Sequence, residues 1–413
     1  MTPGLFDALR DGGYERAAFL NDARGARAVF ARPDEDEVPL GDDAPPALVA
    51  AAAEAAAAVA AAMDVRRLEC VYRKDVGLRI ASVRRSSTEG RTIGPVRRVD
   101  LAQSEPRVFR DVCVAARHAA LSAKAAGISR GGAAVFLHAT PAPEHDRARF
   151  AQALADELQL FGGDFWVDAG LGDEWAKDAA KRGASLAGAR TTSSAETTAL
   201  GVVAAVRVAL GAIGPRADDL SPVVVLQGLG RVGAAVGRRL AVDGFRLVVS
   251  DRDYPKIDAF LGRLGPTERK NVSVVAPYQV AEVVAKAGSS DVFCPAAEGG
   301  VLTADLVGRL KCRAVVGAAT GIFDAASAED ERSAALRLHA AGILYVPEWL
   351  AGAGGLIHAA FECADRGAKF ESAAAEARTE RVAGWYADDV VGDSKHQGHA
   401  PIEILAKRGS APV

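Results

Sequence analysis

The sequence predicts an α/β protein of two domains: an N-terminal α/β domain and a C-terminal doubly wound parallel sheet. Three observations predict it. The chain has 413 residues, more than one hydrophobic core ordinarily serves. Short apolar strands alternate with amphipathic helices in two successive runs. In the second run Val223-Val224-Val225 leads into Gly228-Leu229-Gly230-Arg231-Val232-Gly233, which opens a helix. The expected division is 1–198 as a substrate and oligomerisation domain, 199–348 as a nucleotide-binding domain, and 349–413 as helices returning to the first.

The first run begins with an acidic, proline-bearing loop at 34–46 and an alanine-rich helix at 45–63, a strong helix former that reads as spacer or packing element. A weak internal echo flanks it. Phe19-Leu20-Asn21-Asp22 with Gly25 and Arg27 is matched by Tyr72-Arg73-Lys74-Asp75 with Gly77 and Arg79, and both read as strand-turn-strand units. A helix is expected over 104–126, then strands at 134–138 and 165–168. Between those strands lies a helix with Phe150, Leu154 and Leu158 on one face. The second run holds a helix through 202–210 and strands at 223–226, 246–250, 272–276, 291–294, 314–317 and 344–346. The helix that follows the glycine turn spans 231–242.

Composition excludes several classes. The formal net charge is -3 with acidic and basic residues intermixed, so no basic stripe points to nucleic acid. No apolar run reads as long and clean enough to cross a bilayer. Cys70, Cys113, Cys294, Cys312 and Cys363 include no CxxC pair, and an odd count without a signal peptide fits reduced thiols in a cytoplasmic compartment. The seven histidines form no metal set; His396 and His399 are three apart but lie in a polar, glycine-containing tail.

The glycine turn has the context of a Rossmann dinucleotide site. Gly228 permits the tight turn, Gly230 lets the backbone approach a pyrophosphate, and Gly233 allows helix and strand to touch. The phosphate would meet free N–H groups at the helix start. Asp251 ends the next strand, 23 positions after Gly228. A carboxylate there accepts bonds from both ribose hydroxyls and repels a 2′-phosphate, which selects NAD over NADP. Arg252 follows and would soften that preference. An ordinary βαβ turn with a chance acidic residue is the competing reading.

The flanking segments resemble one family, the leucine, phenylalanine and valine dehydrogenase branch of the Glu/Leu/Phe/Val amino-acid dehydrogenases. Phe293-Cys294-Pro295-Ala296-Ala297-Glu298-Gly299-Gly300-Val301-Leu302 is similar to their Pro-Cys-Ala-Leu-Gly-Gly loop. Tyr345-Val346-Pro347-Glu348-Trp349 and Ala353-Gly354-Gly355 resemble their Tyr-Ala-Pro-Asp-Tyr and Ala-Gly-Gly segments. Thr197-Thr198-Ala199-Leu200-Gly201-Val202 resembles Val-Thr-Ala-Tyr-Gly-Val. The likeness covers about residues 66 to 365. It implies an NAD-dependent oxidoreductase, in homo-oligomers, with an amino acid or 2-oxo acid held in a cleft. It also implies cofactor contacts at Thr198, Ala296, Ala297 and Thr320.

Such enzymes pass the α-hydrogen to NAD as hydride, and water hydrolyses the resulting imine. That chemistry needs a cation for the substrate carboxylate and a lysine–aspartate pair that exchanges protons near neutral pH. Asp168 in Val167-Asp168-Ala169-Gly170 matches the family's aspartate. The two family lysines fall on Ser122 and Ala134. Lys124, two residues on and rotated by about 200° around the helix, reads either as a substrate-binding cation or as a solvated helix lysine, and the guanidinium of Arg130 is a poor proton shuttle. Arg97 and Arg98 read either as an anion site or as surface charge, and Glu298 either as a substitute acid or base or as an exposed carboxylate. Three functions follow: an amino-acid oxidoreductase with an altered constellation, a silent NAD(H)-binding sensor, scaffold or subunit partner, and an NAD enzyme of unrelated chemistry on an anion.

Overall fold

Residues 4–408 are described by the computed structural model, except 23–24, 34, 40–43, 62–66, 85–90, 140–146, 168–172, 188–193, 216–220, 326 and 365–371. The chain forms two units: Met1–Ala123, Ser129–Thr192 and Glu362–Phe370 make the first, and Lys124–Ile128, Ser193–Phe361 and Glu371–Val413 the second.

The first unit starts with α1 (Leu5–Gly12), then β1 (Arg16–Asp22), β2 (Gly25–Ala31), α2 (Pro46–Ala61), β3 (Arg67–Arg73) and β4 (Leu78–Arg84). Asp22 pairs with Gly25 and Arg73 with Leu78 in antiparallel register. Both members of the internal echo are therefore hairpins. Next come β5 (Thr92–Val99), α3 (Glu105–Ala125), β6 (Gly131–His138), α4 (Arg147–Phe161), β7 (Gly163–Val167), α5 (Asp173–Lys181) and β8 (Leu186–Ala187). The eight strands lie in the order β2-β1-β3-β4-β6-β5-β7-β8. β6, β5, β7 and β8 run parallel, and β4 meets β6 antiparallel.

Both faces of this sheet are covered. Phe6 and Leu9 of α1, Leu48 of α2, and Phe109 and Val112 of α3 pack on one face with Phe19, Phe30, Ala134 and Phe136. Leu154 and Leu158 of α4 pack on the other with Ile80, Val135 and Phe165. β6 is accordingly buried at all eight residues, the mark of a strand covered on both sides. Pro95 stands inside β5, and its missing N–H interrupts the ladder to β6 between Ile93 and Val96.

The second unit runs through α6 (Ser194–Ile213), β9 (Val223–Gln227), α7 (Arg231–Val242), β10 (Arg246–Ser250), α8 (Tyr254–Leu261), α9 (Pro266–Lys270), β11 (Val272–Val274), α10 (Val280–Ala285) and β12 (Val292–Pro295). It continues with α11 (Ala304–Arg309), β13 (Ala314–Val316), α12 (Ala328–Ala340), β14 (Leu344–Val346), α13 (Glu348–Ala351), α14 (Gly354–Ala364), α15 (Ser372–Trp385), α16 (Gly392–Gln397) and α17 (Pro401–Arg408). Its six strands are all parallel, in the order β11-β10-β9-β12-β13-β14. The chain winds one way from β9 and then the other way from β12. The crevice outside the carboxyl ends of these two strands is the topological switch point. At the opposite edge, buried Asp291 accepts from the Val223 N–H at 2.8 Å and pairs with Arg313 at 3.2 Å, which clamps the strand starts together.

Two expectations are corrected. Residues 349–413 do not return as a block to the first domain; of them only 362–370 group with it. α15 packs on α6, where Gly201 makes room: a β-carbon there would lie 3.0 Å from the Thr379 methyl. Tyr386, in a widened π turn after α15, donates its hydroxyl proton to the Tyr345 carbonyl on β14 at 3.1 Å. A helical pattern shows that a face is apolar, but not which neighbour it covers. The second correction concerns hydropathy. Ser194–Ile213 is long and apolar enough for a bilayer, with a mean hydropathy of 1.5. It is a core helix of the second unit, burying Val202, Val203, Val206 and Ala209.

Candidate functional site: the switch-point crevice

Three glycines build the crevice, each through a different missing side chain. Gly228 has φ of 103°, in the left-handed region. A β-carbon there would sit 2.7 Å from the Ala297 nitrogen, so the turn after β9 touches the loop after β12. The Ala296 N–H donates to the Gln227 carbonyl at 2.7 Å, and the Gly228 N–H to that of Ser250, also at 2.7 Å. At Gly233 a β-carbon would be 2.0 Å from the Gly228 oxygen, so α7 lies directly against the turn.

Gly230 behaves differently. Among the described residues a β-carbon there would meet nothing within 4 Å, so the position is open on that side. It is also the N-cap of α7, and no side chain caps the helix. Arg231 and Val232 form the first turn, whose N–H groups have no intrahelical acceptor. Open backbone and a helix start, whose first N–H groups have no acceptor within the helix, are what a pyrophosphate requires.

Asp251 is held beside this cradle. One carboxylate oxygen accepts from the Leu229 N–H at 2.7 Å and the other from the Asp253 N–H at 2.9 Å. Each oxygen keeps further acceptor capacity for a ribose hydroxyl. Arg252 pairs with Glu298 from the loop after β12.

The remaining cofactor-side positions are tied in sequence along the same unit. Gly299 lies against Thr320, where a β-carbon would be 2.5 Å from the Thr320 carbonyl oxygen. The buried Glu348 accepts from the Ile322 N–H at 3.0 Å and from the Tyr345 hydroxyl at 2.5 Å. Burial first, and the Glu348 carboxylate second, push the Tyr345 phenol well up, so it stays a proton donor. Thr198 donates its hydroxyl proton to the Ser194 carbonyl at 2.8 Å. Gly354 presses on the same turn of α6, since a β-carbon there would lie 2.2 Å from the Thr197 oxygen. Thr197 itself lies 3.0 Å from buried His358. Glu348 was marked only by its position in a resembling segment, and the sequence reading gave His358 no role.

The substrate-side positions do not converge in this way. Asp168 lies outside the described residues, directly after β7. Lys124 is exposed in the last turn of α3, while Ser122 is buried. Ala134 has 0% exposure and packs in the core shared with Phe109 and Phe136. Arg97 pairs in register with Phe136 and Arg98 with Leu137. Consecutive strand residues point to opposite faces, so the two arginines cannot jointly hold one anion. The Arg97 guanidinium lies 5.3 Å over the Phe136 ring, and Arg98 donates to the Ala139 carbonyl at 3.1 Å.

His138, at the carboxyl end of β6, escaped the sequence reading. It is 2% exposed, and its Nε2 lies 2.9 Å from the Gln103 carbonyl. Its Nδ1 has no hydrogen-bond partner among the described residues. Burial lowers its pKa, the Gln103 bond works against that, and Arg79 lowers it further. The alternation Ala134, Phe136, His138 on one face was the available signal.

Strand order and the glycine turn at the switch point together define a Rossmann-type doubly wound sheet in the second unit, with a mixed sheet in the first. Known proteins agree. The family model described as Glutamate/Leucine/Phenylalanine/Valine dehydrogenase matches residues 261–402. Phenylalanine dehydrogenase of Bacillus thermotolerans is 26% identical over 296 residues, which is 70% of this chain and 74% of that one. Leucine dehydrogenase of Thermoactinomyces intermedius is 26% identical over 308 residues, 72% and 78% of the two chains. Among solved structures, the L-tryptophan dehydrogenase from Nostoc punctiforme superposes with a TM-score of 0.56 at 20% identity, covering 84% of this chain and 94% of that one. The hetero-hexameric glutamate dehydrogenase from Thermus thermophilus, in its leucine-bound form, gives 0.61 at 20% identity, with coverage of 83% and 89%. The chain is thus similar to the glutamate/leucine/phenylalanine/valine dehydrogenase family, whose model matches its residues 261–402.

Proposed function

We propose that the protein is an NAD-dependent oxidoreductase acting on the CH–NH2 group of an amino acid, or in reverse on the related oxo acid or imine. The observation that carries the cofactor half is Gly230, whose vacant side-chain position opens beside the carboxylate of Asp251. The turn from Gly228 to Gly233, with the N–H groups at Arg231 and Val232, binds the pyrophosphate. Asp251 orients the ribose and disfavours a 2′-phosphate. Thr198, Ala296, Ala297 and Thr320 lie on the nicotinamide side. When bound, the dinucleotide supplies the hydride acceptor.

On the substrate side, Asp168 is the proton-handling group. A fully buried alanine at 134 offers no ammonium to share that task, so proton exchange with amine and water rests on the carboxylate and solvent. Turnover on leucine, valine or phenylalanine is therefore slow. Cytoplasmic residence as a homo-oligomer completes the reading. For the compartment, its support is that none of the five cysteines forms a disulfide, with Cys294 and Cys312 pushed up to about 12 by burial. A panel of amino acids and oxo acids, with NADH formation or loss as readout, tests the proposal. Substrate-dependent change is expected; NADH binding with no turnover across the panel would instead mark a silent binder.

A further inference from the structure

We propose that Glu298 sets the dinucleotide preference from the far side of the crevice, by occupying the arginine that would otherwise recruit a 2′-phosphate. The inference rests on the dinucleotide reading above and adds a residue to it. Asp251 and Arg252 are adjacent at the end of β10 and carry opposite instructions. The carboxylate favours a free ribose. The guanidinium, with donors set in a fork, favours a phosphate on it.

The two side chains are held differently. Asp251 is anchored by two backbone N–H groups, on Leu229 and Asp253. Arg252 reaches instead to Glu298, three residues beyond the end of β12. β10 and β12 flank β9 on its two sides, so this pair links the strand ends on either side of the glycine turn. Glu298 is thus engaged at the ribose-binding residue's neighbour, which argues against its serving as a substitute acid or base at the nicotinamide. With Glu298 present, the positive charge beside Asp251 is matched, and the instruction to refuse a 2′-phosphate stands alone.

Both side chains are exposed, Arg252 at 74% and Glu298 at 70%. An exposed pair is weak, so the discrimination it adds is a factor of roughly two to five, and salt screens it.

The test titrates NADH and NADPH by protein fluorescence at low ionic strength. The chains compared are wild type, Glu298→Gln, Glu298→Asp, Arg252→Gln and the Glu298→Gln/Arg252→Gln double variant, each checked for folding by circular dichroism. Glu298→Gln is expected to lower the NADPH-to-NADH ratio of Kd by roughly two- to fivefold, less at high salt. Glu298→Asp should keep the wild-type ratio, and the double variant should lose the gain. An unchanged ratio in Glu298→Gln overturns the proposal, as does the same gain without Arg252, or NADPH binding too weak to detect in both wild type and Glu298→Gln. A folded wild type that binds neither dinucleotide would defeat the underlying cofactor reading instead.

Discussion

Two glycine-rich strand ends in this chain are put to opposite uses. In the second unit, a β-carbon at Gly230 would meet none of the described residues within 4 Å. In the first, Gly131-Gly132 opens β6, and the room left by Gly132 is filled: a β-carbon there would lie 2.0 Å from the Ala116 carbonyl and 2.6 Å from the Ala120 nitrogen of α3. One glycine leaves open space, while the other admits a helix. Close packing of α3 on β6 continues at Ala134, where relatives carry the catalytic lysine according to the resemblance, and small apolar side chains line that contact. The turn after β9 keeps an open backbone position, and the start of β6 is filled with core.

That contrast can be broken at both ends. Gly132→Ala should destabilise the first unit by about 3 kcal/mol, because the clash is with helix backbone that cannot step aside. Thermal unfolding would show a large fall in Tm, and an unchanged Tm would mean that α3 does not sit on β6 as described. Gly230→Ala should leave Tm within a degree or so while weakening NADH binding about tenfold, or 1.4 kcal/mol, since the methyl group enters only the crevice. Loss of stability with intact NADH affinity would reverse the assignment of the two glycines. Asp251 sharpens the cofactor end. Wild type should bind NADH at least about tenfold more tightly than NADPH, and Asp251→Asn should shrink that margin; equal affinities in wild type would remove Asp251 from the ribose site.

The smallest effect concerns His138, at the end of the filled strand. Its folded-state pKa lies below the unfolded value of about 6.5, because burial disfavours the imidazolium. As pH falls below about 6.5 the unfolded chain takes up the proton first. Stability from this residue is therefore full above that pH and is lost as pH falls toward the lowered folded-state value. The slope of Tm against pH in that window should flatten in His138→Gln, and an identical slope would show that the ring is not buried neutral.

Local signals were legible in advance. The β-branched run into Gly228 fixed β9, and 231–242 and 246–250 match α7 and β10 to the residue, because strand alternation, glycine chemistry and helix periodicity act over a few neighbours. The two hairpins of the internal echo were visible for the same reason. Non-local facts were not. Adjacent Arg97 and Arg98 read either as an anion site or as surface charge, and only the β5–β6 register puts them on opposite faces. Glu298 and Arg252 are 46 positions apart, and only the order β10-β9-β12 brings them together. The docking of α15 on α6 depends on Gly201 meeting Thr379, a match that no single-helix pattern contains. Asp168, which the sequence reading placed at the end of the strand over 165–168, lies outside the described residues.

The central claim is that an intact dinucleotide crevice serves amino-acid oxidation through Asp168 without the lysine replaced at Ala134. It is tested most directly by following NADH formation from NAD and a panel of L-amino acids, in wild type and in Asp168→Asn. The account predicts turnover in wild type well below the roughly 10 per second typical of enzymes. It predicts that Asp168→Asn abolishes that turnover while NADH affinity and Tm are preserved. Turnover at the typical rate, or turnover that Asp168→Asn leaves untouched, would contradict it.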